Sequence, residues 1–191
     1  MKLRRGFRTE AEQYAEEFRT ELGLAIDGPL DPFQLAAHLG IPVVPLSELP
    51  DLDPACLRFF LGDWQSMFSA TTVVDGTYKM IIHNDAHHPY RRHSNVMHEI
   101  AHILLGHPPR PPLMHDGCRH FDANNENEAN ELGFTLLIPR HAALRIIEQR
   151  IDFRRASINY GVSKQLLEYR IRITNANSWA ANRKRFRSAA E

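Results

Sequence analysis

The residues best suited to chemistry in this chain are His98, Glu99 and His102, in the pattern His-Glu-Ile-Ala-His. On an α-helix four residues make slightly more than one turn, so both imidazoles project from one face and can share a metal ion. Glu99 follows the first histidine and is placed to reach a water held on that ion. Such a group performs hydrolysis: the metal lowers the pKa of water and polarises a carbonyl, and the carboxylate takes the proton. The chain has 11 histidines, and that abundance produces the pattern by accident about 4 % of the time. The neighbours argue for more than accident. Val96, Met97, Ile100, Ile103, Leu104 and Leu105 make the segment apolar nearly all round. A helix of that kind is buried, and its charged members need a reason to be there.

A catalytic zinc site takes three protein ligands and leaves the fourth position to water. The segment NENEANELGFTLLIP downstream offers Glu126, Glu128 and Glu131. On a helix Glu126, Ala129, Asn130, Gly133 and Leu137 form one stripe, whose small residues allow close approach to the metal helix. Glu128 and Glu131 point more towards solvent. Glu126 is therefore the expected third ligand and Glu128 the alternative. Asn130, one turn on, is a candidate to orient His98 or His102 by a hydrogen bond. Two histidines and a glutamate suit Zn²⁺, with Mn²⁺ or another divalent ion able to compete. Candidates for a second oxyanion donor are His115, His120 and Tyr160. His107 reads as a contact or hydrogen-bond partner of the ligands, while His83, His87, His88 and His93 read as surface or loop residues.

The elements that must position these residues are legible from periodicity and punctuation. Apolar spacing predicts a helix over 8–22, and Asp31 with Pro32 starts another that runs to Leu39. Ile41 to Leu46, broken by prolines, is at best an edge strand. Residues 50–65 are ambiguous. Two β-rich runs, 67–74 and 77–82, flank Asp75-Gly76, a strong hairpin signal. The metal helix spans about 90–105, closed by Gly106, and a Pro-rich loop follows. A helix capped by Asn124 or Asn125 then runs to about Leu137, with shorter helices at 140–150, 152–159 and 163–173. The expected fold is α+β, with a small, mainly antiparallel sheet beside the HExxH helix. Residues 1–145 are expected to form the metal-binding domain. Residues 146–191 form a helical, helix-turn-helix-like subdomain with a basic tail.

HEIAHILLGH followed by ENEANELGFTLLIP resembles the ImmA/IrrE family of zinc-dependent metallopeptidases. LDPFQLAAHLGIPVVPL resembles that family's N-terminal segment, and YGVSKQLLEYRIRI its C-terminal helix pair. The resemblance implies that Glu126, four residues before Asn130, is a metal ligand. It also implies that the substrate is a helix-turn-helix transcriptional repressor, cut at a specific bond. The chain departs from the family where Phe-Ala is usual and Gly133-Phe134 stands instead, which alters the packing face. A second departure is the Pro- and His-rich stretch between His102 and Glu126.

Composition narrows the alternatives. With 23 Lys+Arg against 23 Asp+Glu, the neutral balance argues against direct DNA binding, despite the helix-turn-helix-like spacing around Tyr160-Gly161-Val162-Ser163 and the basic tail. No apolar run is long enough to span a bilayer. The basic start lacks the apolar core of a secretory signal, so a cytoplasmic location is expected. Cys56 and Cys118 form no CxxC pair and read as reduced thiols. The rival to a peptidase is a sensor or regulator whose metal site holds a repressor, or DNA, without cutting.

Overall fold

Acidic and hydroxyl side chains set where most helices begin. The computed structural model describes residues 2–50, 52–108 and 122–188, with side chains described as far as Arg183. Helix α1 covers Phe7–Glu21, α2 Pro32–His38, α3 Pro54–Leu61 and α4 Pro89–Leu104. Helix α5 covers Ala123–Leu137, α6 Arg140–Glu148, α7 Phe153–Tyr160, α8 Lys164–Ile173 and α9 Ala176–Ser188. Asp31, Asp53, Asp122, Asp152 and Ser163 each accept a backbone N–H from the first turn of the helix that follows. Proline stands at the start of α2, α3 and α4, where its missing N–H costs nothing.

Three details differ from the sequence expectation. Helix α5 is capped by Asp122, whose Oδ1 accepts from Asn124 and Asn125, so those asparagines lie inside the helix they were expected to cap. The ambiguous stretch 50–65 contains α3, with Asp53 and Pro54 as its start signal. The basic tail belongs to α9, which docks through buried Ala176 and Ala180 and through Arg140 stacked on Trp179 at 4.3 Å.

The sheet has the order β1-β3-β2, from Val43–Pro45, Tyr78–His83 and Ala70–Asp75 respectively. Strands β2 and β3 form the expected hairpin, with Gly76 at φ 59° supplying the left-handed turn residue. The short strand β1 adds to β3 in parallel, so the sheet is mixed, with six antiparallel register pairs against three parallel ones. Ile81 of β3 pairs with Thr72 on one side and Val43 on the other, and is wholly buried.

The core lies where α4 and α5 cross. Val96, Met97, Ile100 and Ala101 of α4 meet Ala129, Leu132 and Leu136 of α5, all without solvent exposure. Burying each large apolar side chain contributes about 1.5–3 kcal/mol. Gly133 makes the closest approach possible, because a Cβ there would lie 3.3 Å from the Met97 carbonyl oxygen and 3.5 Å from the His98 Cα. The small-residue stripe thus seats α5 against the backbone that carries the first histidine.

The opposite side of α5 is covered as well. Arg19 of α1 donates to the carbonyl oxygens of Gly28, Ala15 and Leu136. Burial pulls its guanidinium down to about 10, still well above neutrality, so it stays cationic. Arg170 reaches in from α8 to Glu131 at 3.1 Å, Glu12 at 2.9 Å and the Ile138 carbonyl oxygen at 2.8 Å. Glu131, expected to face solvent, is instead 1 % exposed. The reason is tertiary: α1 and α8 occupy the face that an isolated amphipathic helix would give to water.

Candidate metal centre

His98 and His102 stand one turn apart on α4, and their Nε2 atoms approach to 3.0 Å. The first turn of α5 brings Glu126 to both, with Oε1 3.2 Å from His102 Nε2 and Oε2 3.4 Å from His98 Nε2. The three side chains are partly buried, between 16 and 22 % exposed. Hydrogen bonds from His102 and His98 hold the Glu126 carboxyl far below the usual carboxylate range, against the opposing effect of burial. Among the described residues this is the one group of three or more His, Cys, Asp or Glu side chains arranged to hold a metal ion.

The donor set fits a zinc-type ion. Tetrahedral ligands about 2.0–2.1 Å from Zn²⁺ lie about 3.3 Å from one another, and the three edges here measure 3.0, 3.2 and 3.4 Å. Two imidazole nitrogens with one carboxylate oxygen disfavour Ca²⁺ and Mg²⁺, which take oxygen ligands. Glu128, the alternative ligand, turns away, lying 3.3 Å from Arg4 and 3.9 Å from the Nε2 of His107.

The surroundings order this group. Helix α4 ends in a Schellman turn: Gly106 takes φ 63° and donates to the Ile103 carbonyl oxygen, and His107 donates its N–H to that of His102. The turn folds the His107 ring back, placing its Nδ1 2.9 Å from His102 Nδ1. If His102 gives its Nε2 lone pair to a metal, its Nδ1–H donates to His107, whose Nε2–H then faces Glu128. Asn130 is half-buried and makes no hydrogen bond to either histidine among the described residues, where His98 Nδ1 is buried without a partner. Glu99 accepts a 2.7 Å hydrogen bond at Oε2 from the Thr72 hydroxyl of β2.

With this geometry in view, the family model of the IrrE N-terminal-like domain, Peptidase M78, matches residues 36–172. The chain belongs to that family. The matched stretch of the IrrE N-terminal-like domain runs from α2 into α8 and includes both helices of the metal centre. By its name the family is one of peptidases, and the zincin-like α+β fold agrees with it. Among solved structures, a Mycobacterium tuberculosis transcriptional regulator superposes with a TM-score of 0.52 at 17 % identity. The likeness covers 83 % of this chain and 45 % of that one, so the chain spans less than half of the regulator's length. No curated protein matches the chain in sequence.

Other residues singled out in the sequence are placed differently within this IrrE N-terminal-like domain. Tyr160 is buried and donates its hydroxyl to the Asp27 carbonyl oxygen at 2.6 Å, which commits it elsewhere. His115, His120 and Cys118 lie outside the described residues. Cys56 is a free, exposed thiol. His83 and His87, read as surface or loop residues, lie at the end of β3 and in the loop before α4, yet are only 3 and 4 % exposed, and burial lowers both imidazoles from their usual range. His87 ties the approach to α4 through the Gln65 carbonyl oxygen at 2.8 Å and Asn95 at 3.2 Å. Sequence reasoning misses Thr72: strand alternation shows which face it shares, but nothing in the sequence pairs it with Glu99. Among the described residues no helix is long and apolar enough to cross a membrane.

Proposed function

We propose that the chain is a cytoplasmic zinc-dependent endopeptidase that cuts a helix-turn-helix transcriptional repressor at a specific bond. The observation that carries this reading is the convergence of His98, His102 and Glu126, with Glu99 next to the first histidine along α4 and its carboxylate bonded to Thr72. Two neutral imidazoles and one carboxylate would hold the ion. When bound, it supplies Lewis-acid polarisation of a water and of the scissile carbonyl. Glu99 takes the proton of the attacking water on the oxygen not engaged by Thr72 and delivers it to the leaving amine. His107 fixes the tautomer and ring direction of His102 from behind.

The choice of substrate rests on the resemblance carried by HEIAHILLGH and ENEANELGFTLLIP. It agrees with the character of the structural neighbour, itself a transcriptional regulator. Residues 146–191 are, in this reading, a helical subdomain that meets the partner protein rather than DNA, in keeping with the chain's neutral charge.

The test is Glu99→Gln, assayed with zinc on purified helix-turn-helix repressors, among them any that a gene neighbouring this one encodes. The wild type cuts the repressor once, whereas the variant loses at least about a hundredfold in rate and binds zinc with unchanged affinity by titration calorimetry. Cleavage at the wild-type rate by Glu99→Gln would overturn the mechanism. Tight repressor binding without cleavage by the wild type would favour the sensor reading.

A further inference from the structure

We infer that Thr72 is a positioning residue for Glu99, an inference that rests on the endopeptidase reading above. A glutamate on a helix has three rotatable bonds, so a base presented from α4 needs something to fix its carboxylate. Thr72 does so from a different element. Its Oγ1 donates to Glu99 Oε2 at 2.7 Å, the short distance of a hydroxyl bonded to a charged oxygen. Among the described residues no other side chain donates a hydrogen bond to Glu99.

The anchor itself is rigid. Thr72 is paired in register with Ile81, which is wholly buried in the central strand between β1 and β2. Its branched Cβ limits rotation about χ1, so strand geometry dictates where the hydroxyl points. One carboxylate oxygen is thereby occupied, and the other is left with its lone pairs for the water and the amine. The hairpin signalled by Asp75-Gly76 thus does more than cover the core, because it sets the direction of the catalytic carboxylate. Neither the HExxH pattern nor the α5 motif encodes that direction.

The test compares Thr72→Val, which keeps the shape and removes the hydroxyl, with Thr72→Ser, which keeps the hydroxyl. In cleavage of the repressor that the wild type cuts, by zinc-loaded protein, Thr72→Val should lower kcat about 10–100-fold. KM and the zinc Kd should stay within about twofold, and Thr72→Ser should recover most of the rate. A second measurement needs no activity: a double-mutant cycle of Thr72→Val and Glu99→Ala on the thermal unfolding of the metal-free protein. The Tm shift caused by Thr72→Val should shrink when Glu99 is already alanine.

Wild-type kcat in Thr72→Val, with Glu99→Gln inactive, would overturn the inference and leave the endopeptidase reading intact. Loss expressed in KM or zinc affinity would overturn it too, by showing a merely structural role. Cleavage retained in Glu99→Gln would instead sink the underlying reading, and the inference with it. Additive Tm shifts would show that the contact is absent in solution and would also overturn the proposal.

Discussion

Helix α5 carries two glutamates that serve opposite ends. Glu126, in its first turn, faces His98 and His102, whose Nε2 atoms lie 3.4 and 3.2 Å from its carboxylate oxygens. Glu131, five residues on, faces Arg170, whose charge it meets directly at 3.1 Å. Glu126 is 18 % exposed and Glu131 1 %. The contrast teaches what distinguishes a binding carboxylate from a structural one. A structural carboxylate is complete in the folded chain, because its partner brings the compensating charge. A binding carboxylate shares its site with other groups that can carry lone pairs, here two imidazoles, set around one point.

The sharpest way to break this comparison is on the structural face. Arg170→Ala removes the nearer of the two cations that meet the buried Glu131, leaving Arg8 at 3.4 Å, and should destabilise the protein by about 3 kcal/mol in urea unfolding. The paired replacement Arg170→Met with Glu131→Leu should recover most of that loss, since an apolar pair of similar volume can stand in for a buried ion pair. If the single change were harmless, Glu131 would not be the structural member.

On the other face, Glu126→Ala should destabilise the metal-free protein less than Arg170→Ala does in urea unfolding. It should weaken zinc binding by more than about a hundredfold, the upper end of what outer partners contribute. Unchanged zinc affinity would remove Glu126 from the ligand set and dissolve the contrast. A smaller effect sharpens it. His107→Ala, which leaves the three ligands in place but frees the far side of the His102 ring, should cost about 10–100-fold in zinc affinity. Loss of stability without loss of affinity would make His107 a structural contact only.

Several features are legible in the sequence because local chemistry dictates them. The α2 start at Asp31-Pro32 is set by a side chain acting on its own backbone, and the hairpin at Asp75-Gly76 and the end of α4 at Gly106 by the positive φ that glycine, lacking a side chain, adopts without strain. The stripe from Glu126 to Leu137 is helical arithmetic, and the close contact of Gly133 with the α4 backbone follows from it. The departures are equally specific. Local reasoning gives Glu131 to solvent and His83 and His87 to the surface or a loop, because a helix or loop considered alone has an outer side. Three-dimensional packing removes that side when α1 and α8 close over α5, and when the segment around Gln65 closes over His87.

The sequence by itself determined the pair of helices and the residues they present to one another, because periodicity of 3.6 residues fixes which side chains share a face. It also placed the chain in its family, since the HEIAH and ENEAN motifs lie within single helices. Tertiary structure alone decided which partners hold Glu99 and Glu131 in place. Long-range contacts join Thr72 to Glu99 across 27 positions and Arg170 to Glu131 across 39. No local rule connects such pairs. They exist because the sheet and the C-terminal helices bury their backbones in fixed places, and the side chains then meet whatever charge is there.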